Sequence, residues 1–206
     1  HKGASMVGFD YDLRYLRAGI ENLESYLLSD ELYWPVDARA QAGEPAFPNL
    51  TLGSLLLAQG RLQAREQTLE QETQLIALLS RLEQLRVHWR SAWRKKVERS
   101  LRSRLTLWSN FMDDYRRAPE ANADRYPYEV TRRVMIDLLQ AELEWVLPAD
   151  QELLAKLDAF INTFLVRGDF IWDPALANGF PPQRYWYLYG RLPDELKLPE
   201  NYSPAW

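Results

Sequence analysis

Between Pro48 and Pro119 the chain reads NLTLGSLLLAQGRLQAREQTLEQETQLIALLSRLEQLRVHWRSAWRKKVERSLRSRLTLWSNFMDDYRRA, residues 49–118, and the reading of this stretch decides the fold. It holds no proline, and from Arg61 onward no glycine. Both strong helix punctuators are therefore missing from a segment rich in Leu, Gln, Glu and Arg. The expectation is one very long helix over about 51–117, with no internal loop longer than three residues. Unbroken from Arg61 to Ala118, it would span about 87 Å. Asn49 or Thr51 supplies the N-cap. If the helix bends, Ser80-x-x-Glu83 offers a capping box, and Val87–Ser91 is a second weak point because β-branched and aromatic residues lower helix propensity.

Three zones follow along this element. Leu52, Leu55, Leu56 and Leu57 open it. Gln63–Gln74 is polar nearly all round, with Ala64 and Leu69 as its apolar residues, so it should be the least buried part. The apolar stripe then resumes through Ile76, Leu79, Leu82, Leu85, Trp89, Trp93, Val97, Leu101, Leu105, Trp108, Met112 and Tyr115. Repeated steps of four make this stripe wind round the helix, which suits several neighbours better than one coiled-coil partner.

Working outward, Leu13, Leu16, Ile20, Leu23 and Leu27 fall on one stripe of a helix over about 11–28, with Asp10 or Asp12 able to cap it. Tyr33–Pro48, with Pro35, Gly43, Pro45 and Pro48, reads as a loop. Asp124 and Pro127 mark a third helix carried by Val130, Val134, Leu138 and Leu139 and stopped by Pro148. Asp150 should cap a fourth, with Leu153, Leu157, Phe160, Ile161 and Phe164 inward and Gly168 as its C′ residue. No strand-type alternation competes. From Phe170 to Tyr189 come seven aromatics and three prolines, and Leu192–Trp206 adds three more prolines. This tail reads as an irregular strap over the helices.

The expected fold class is all-α: a bundle of about four helices, one very long, with an irregular aromatic and Pro-rich C-terminal tail. Residues 1–5, ahead of Met6, read as an expression-tag remnant, 6–168 as the bundle and 169–206 as the tail packed on it. The core list comprises Leu16, Ile20, Leu23, Leu79, Leu82, Trp93, Leu101, Leu105, Leu138, Leu157, Ile161 and Phe164.

Composition narrows the chemistry. The chain has no cysteine, which excludes disulfides, thiolate metal sites and a Cys nucleophile. Beyond the first residue, His88 is the sole histidine, so multi-histidine metal sites and His-based triads have little to draw on. Phosphate-binding Gly-rich loops and the Gly-x-Ser-x-Gly turn are absent. Asp113-Asp114 and Glu142 with Glu144 are tight acidic pairs, but no Glu-x-x-His accompanies them, and Arg116 or Arg117 is the natural partner of the first. No catalytic residue, metal ligand or cofactor is therefore expected. No apolar run is long enough to span a bilayer and no signal peptide is visible, so a cytoplasmic protein without a membrane partner is expected.

The strongest charge signal is Arg86–Arg104, with eight cationic side chains against Glu98, net +7 in a chain of net −4. Arg90, Arg94, Lys95, Arg99 and Arg102 could follow a polyanion while Trp89 and Trp93 stack bases. The plainer expectation is that these cations pair with acids of the same fold, since the remainder of the chain is strongly acidic. The leading functional reading is a non-enzymatic helical interaction or scaffold module, using the long helix to meet a copy of itself or another protein. The alternative is a nucleic-acid-associated accessory protein acting through Arg86–Arg104. A third reading is a small-molecule binder or enzyme with its pocket under the aromatic tail.

Overall fold

The computed structural model of the protein describes residues 7–198, 200–202 and 206. The expected tag remnant, residues 1–5, lies outside them. Helix dominates, and the chain divides into two compact units, His1–Ser100 and Leu101–Trp206.

In the first unit α1 (Phe9–Leu28) pairs with α2 (Leu52–Ala64) and α3 (Leu69–His88). The stripe of α1 is buried as its spacing requires, with Leu16 and Leu23 fully enclosed. Gly8, not Asp10 or Asp12, occupies the N-cap of α1. Asp12 instead turns inward, toward Arg61. At Gly19 a Cβ would stand 2.7 Å from Leu55 Cδ1, so glycine lets the two helices approach closely here. The loop between α1 and α2 is tied down by Tyr11 and Tyr15, whose hydroxyls donate to the carbonyls of Ala46 and Asn49. Phe47 packs at a tilt against both rings, and Trp34 and Leu50 exchange backbone hydrogen bonds.

The single helix expected over 51–117 is three helices: α2, α3 and α4 (Arg90–Arg117). The first break, Arg65–Thr68, is four residues long and falls inside the polar zone. It needs neither Gly nor Pro because side chains serve the freed backbone groups. Gln67 Nε2 donates to Leu62 O at the end of α2, and Thr68 with Gln71 forms a reciprocal capping box that starts α3. Arg65 adds a hydrogen bond to Val7 O. With little apolar surface to bury between 63 and 74, continuing the helix would gain nothing from packing. Ser80, the favoured bend, is mid-helix. The second break falls at Trp89, inside the weak stretch Val87–Ser91; its N–H still reaches Leu85 O and its carbonyl accepts from Trp93 N.

In the second unit the remainder of α4 is followed by the short α5 (Pro119–Asn122), α6 (Tyr126–Gln140) and α7 (Pro148–Phe164). Trp108, Phe111, Met112 and Tyr115 of α4 are buried, as are Val130, Val134 and Leu139 of α6 and Leu157, Phe160 and Ile161 of α7. Three boundaries differ from expectation. Pro148 begins α7 instead of stopping α6, Leu147 rather than Asp150 sits at the N-cap, and α7 ends at Phe164. Gly168 lies in a strand. Among the expected core residues, Leu79, Leu138 and Phe164 are only half-buried.

The tail is not wholly irregular. β1 (Val166–Phe170) pairs antiparallel with β2 (Tyr189–Arg191), in the register Val166 to Arg191 and Arg167 to Gly190, with an irregularity before Phe170 meets Tyr189. β1 crosses the 168/169 position at which the tail was expected to begin. Between the strands the aromatics pack on one another: Phe180 contacts Trp172 at 5.4 Å and Tyr185 at 5.1 Å, both edge-on. They are fastened to α6 by polar bonds: Tyr126 O–H to Tyr187 O, Trp172 Nε1 to Pro127 O, and Arg184 to Asp137.

Candidate functional site

Two features of the first unit stand out from ordinary packing. The first is the outer face of α3. Its inner face buries Leu75, Leu82 and Leu85. On the opposite side Leu69, Ile76 and Val87 are 80%, 60% and 63% exposed. Leu69 and Val87 are eighteen residues apart, about five turns, and Ile76 lies about 20° from the line joining them. Three large apolar side chains thus share one solvent-facing stripe. Glu72 and Glu83 lie along one flank, with Glu83 held by Arg86 at 2.7 Å. The polar zone 63–74 contains no buried residue, and Leu69, its one large apolar side chain, is the most exposed of the three.

The second feature is the basic zone, whose residues the fold separates by task. Lys96 is buried and gives its ammonium to the end of α1: Nζ donates to Ser29 O at 2.8 Å and Glu31 O at 2.5 Å and stands 4.4 Å over the Tyr26 ring. Arg99 Nη2 donates to Asp30 O at 2.8 Å. Helix C-termini carry partial negative charge on unpaired carbonyls, so Lys96 satisfies the C-cap carbonyl of α1, while its second bond and that of Arg99 tie down the turn that follows. The basic zone was expected to pair with acidic side chains; Arg86, Arg94 and Arg102 do so, whereas the partners of Lys96 and Arg99 are backbone carbonyls. Burial, with the neighbouring Arg99 charge second, holds the Lys96 ammonium below the usual lysine range.

The remaining candidates divide. Arg94 is exposed and lies 3.9 Å from Glu98, a loose pair. Arg102 belongs to the second unit, where it stands 3.9 Å from Asp150. Arg90 and Lys95 are exposed and have no acidic partner among the described residues. Arg90, Lys95, Lys96 and Arg99 line one cleft of about 590 Å³ together with His88 and Trp89, and Asp30 is the carboxylate in its wall. The His88 and Trp89 rings meet edge-on at 4.8 Å. The charge of this zone was legible in the sequence; the use of Lys96 as a buried helix cap was not, because the sequence does not say where α1 ends in space.

Among the described residues no group of three or more His, Asp or Glu side chains is placed to hold a metal ion, and no helix is long and apolar enough to cross a membrane. Comparison with protein-family models, with curated proteins and with solved structures finds no match.

Proposed function

We propose that the chain is a non-enzymatic helical interaction module that meets a protein partner through the outer stripe of α3. The observation that carries this reading is the alignment of Leu69, Ile76 and Val87, three large apolar side chains mostly in water on one line of one helix. Single exposed apolar residues are ordinary; a co-linear set along about 27 Å of helix is the pattern by which one helix receives another. Glu72 and Glu83 beside the stripe favour a partner helix that brings Lys or Arg to its own flank. The expected continuous helix is replaced here by α3 alone, so the proposed surface is shorter than the sequence implied.

The test is a triple substitution, Leu69→Asp, Ile76→Asp and Val87→Asp, on exposed positions that leave the core of the unit intact. Light scattering over a hundredfold concentration range measures self-association, and photocrosslinking from position 76 measures partner capture. The reading expects a species larger than the monomer, or a single crosslinked partner, that the triple variant loses. A monomer at all concentrations with no specific crosslink removes it. The nucleic-acid alternative has less support: Arg86 and Arg94 have acidic neighbours and Lys96 is buried.

A further inference from the structure

The cleft at the end of α1 holds more positive charge than the fold uses. Lys96 and Arg99 serve three carbonyls, that of Ser29 at the C-cap of α1 and those of Asp30 and Glu31 in the turn beyond it, which bring only partial negative charge. Asp30 adds one carboxylate. Arg90 and Lys95 line the same cleft, are exposed, and make no ion pair among the described residues. The helix dipoles do not supply the excess, because α3 ends and α4 begins within one residue of each other, so their opposite ends largely cancel. The side chains carry it. Lys95 and Arg99, four apart on α4, lie side by side on one helical face, and Arg99 spends only part of its five N–H donors on Asp30 O. Arg90, in the first turn, lines the same cleft from a position about 140–180° round the helix axis.

The other half of the wall is apolar. Trp89 lines the cleft, its indole N–H has no acceptor, and Leu28 beside it is 57% exposed. A concave site of this volume, cationic on one side and aromatic on the other, matches a small ligand with a phosphate at one end and a ring at the other. We propose that the cleft binds a phosphorylated small molecule, its phosphate held by Lys95 and Arg99, with Arg90 adding positive charge to the cleft wall, and its ring against Trp89 and Leu28. This inference is independent of the α3 stripe, which lies on a different surface of α3.

The test titrates the full chain with pyrophosphate and with ADP at near-physiological salt, by calorimetry and by following the Trp89 indole resonance, assigned through its loss in Trp89→Phe. The expected result is binding of both at a Kd below about 1 mM, tighter for ADP, with the Trp89 signal shifting in step. The double variant Arg90→Glu, Lys95→Glu changes two exposed side chains, so it should keep the thermal transition and lose at least tenfold in affinity. Equal affinity for the two probes would overturn the ring contact. No binding, binding undiminished by the double variant, or a response to a single-stranded oligonucleotide alone would overturn the site, the last in favour of a nucleic-acid surface. The triple α3 variant should bind ADP unchanged, so failure of one reading leaves the other measurable.

Discussion

Arg61 closes on Asp12 through two hydrogen bonds, Nη2 to Oδ1 at 2.8 Å and Nε to Oδ2 at 3.1 Å, joining α2 to α1 around a carboxylate that has no contact with solvent. Burial pushes the Asp12 carboxyl above its usual range, and the Arg61 charge opposes this without cancelling it. For an acid raised in this way, the stabilising contribution is present below the ordinary Asp pKa and lost as pH rises through the folded value. At neutral pH the ionised carboxylate is thus a net cost to the fold, which the Arg61 charge and hydrogen bonds reduce. Removing that partner by Arg61→Ala should cost about 3–5 kcal/mol in urea unfolding at pH 7. Adding Asp12→Asn to that variant should recover most of the loss, since the uncompensated charge is gone. No recovery would mean that Arg61 acts mainly through packing.

The start of α3 rests on Thr68. Its hydroxyl accepts from Gln71 N, and the Gln71 side chain accepts from Thr68 N. Thr68→Ala should lower stability by about 1 kcal/mol and fray the first turn, visible as faster amide exchange over residues 69–72. If the break at 65–68 were held by packing alone, the substitution would leave exchange unchanged.

Much of the helical content was legible because burial repeats with the helical period, as it does from Leu13 to Leu27 in α1 and through Trp93, Val97, Leu101 and Leu105 in α4. The breaks were harder to see. A chain interrupts a helix with Gly or Pro cheaply, but Arg65–Thr68 does so through side-chain caps, and Thr68-x-x-Gln71 resembles Ser80-x-x-Glu83 further along. Nothing local says that Ser80-x-x-Glu83 stays helical; the burial of Leu75 and Leu82 on either side decides it. β1 reads VRGDF, largely exposed and too short to display alternation. For the candidate cleft, Arg90, Lys95 and Arg99 stood out by charge alone. Their separation from Lys96 and Arg102 depends on where α1 ends and α7 begins, which is a tertiary matter.

Leu157 is fully enclosed on α7, whereas Leu79 on α3 is only half-buried. Leu157→Ala should cost about 2–5 kcal/mol, because the vacated volume cannot be refilled by neighbours already packed. Leu79→Ala should cost well under half as much, having lost less buried surface. Denaturant melts of the two variants check the ranking, and equal losses would refute it.

Gly190 in β2 has φ +153°, and a Cβ there would stand 2.4 Å from Val166 O. Both the backbone conformation and the close approach of β1 require glycine. Gly190→Ala should destabilise the protein by about 1–3 kcal/mol and loosen the strand pair selectively. Exchange of the Val166 and Arg191 amides, compared with those of α6, measures the selectivity. Uniform loosening would show that the strand pair is not a separate element.

The second unit should be sensitive to alkali. Tyr115 donates its O–H to Pro193 O at 2.7 Å, and burial, with the Asp194 charge second, pushes its phenol up to about 12. Tyr126 and Tyr187 are raised too, chiefly by burial, with Tyr126 bonded to the Tyr187 carbonyl. A phenol whose folded pKa lies above its unfolded value contributes stability below about pH 10, the unfolded value, and that contribution is lost as pH rises through the folded one. The melting temperature should therefore fall steeply above about pH 10. Tyrosinate absorbance should rise in two stages, first the accessible phenols and then the buried set together with the loss of helix. Tyr115→Phe removes one hydrogen bond, about 1 kcal/mol at neutral pH, and makes the alkaline fall shallower, because that ring no longer has a proton to lose. A fully reversible single-stage titration with helix retained would show that these hydroxyls reach solvent without opening the strap.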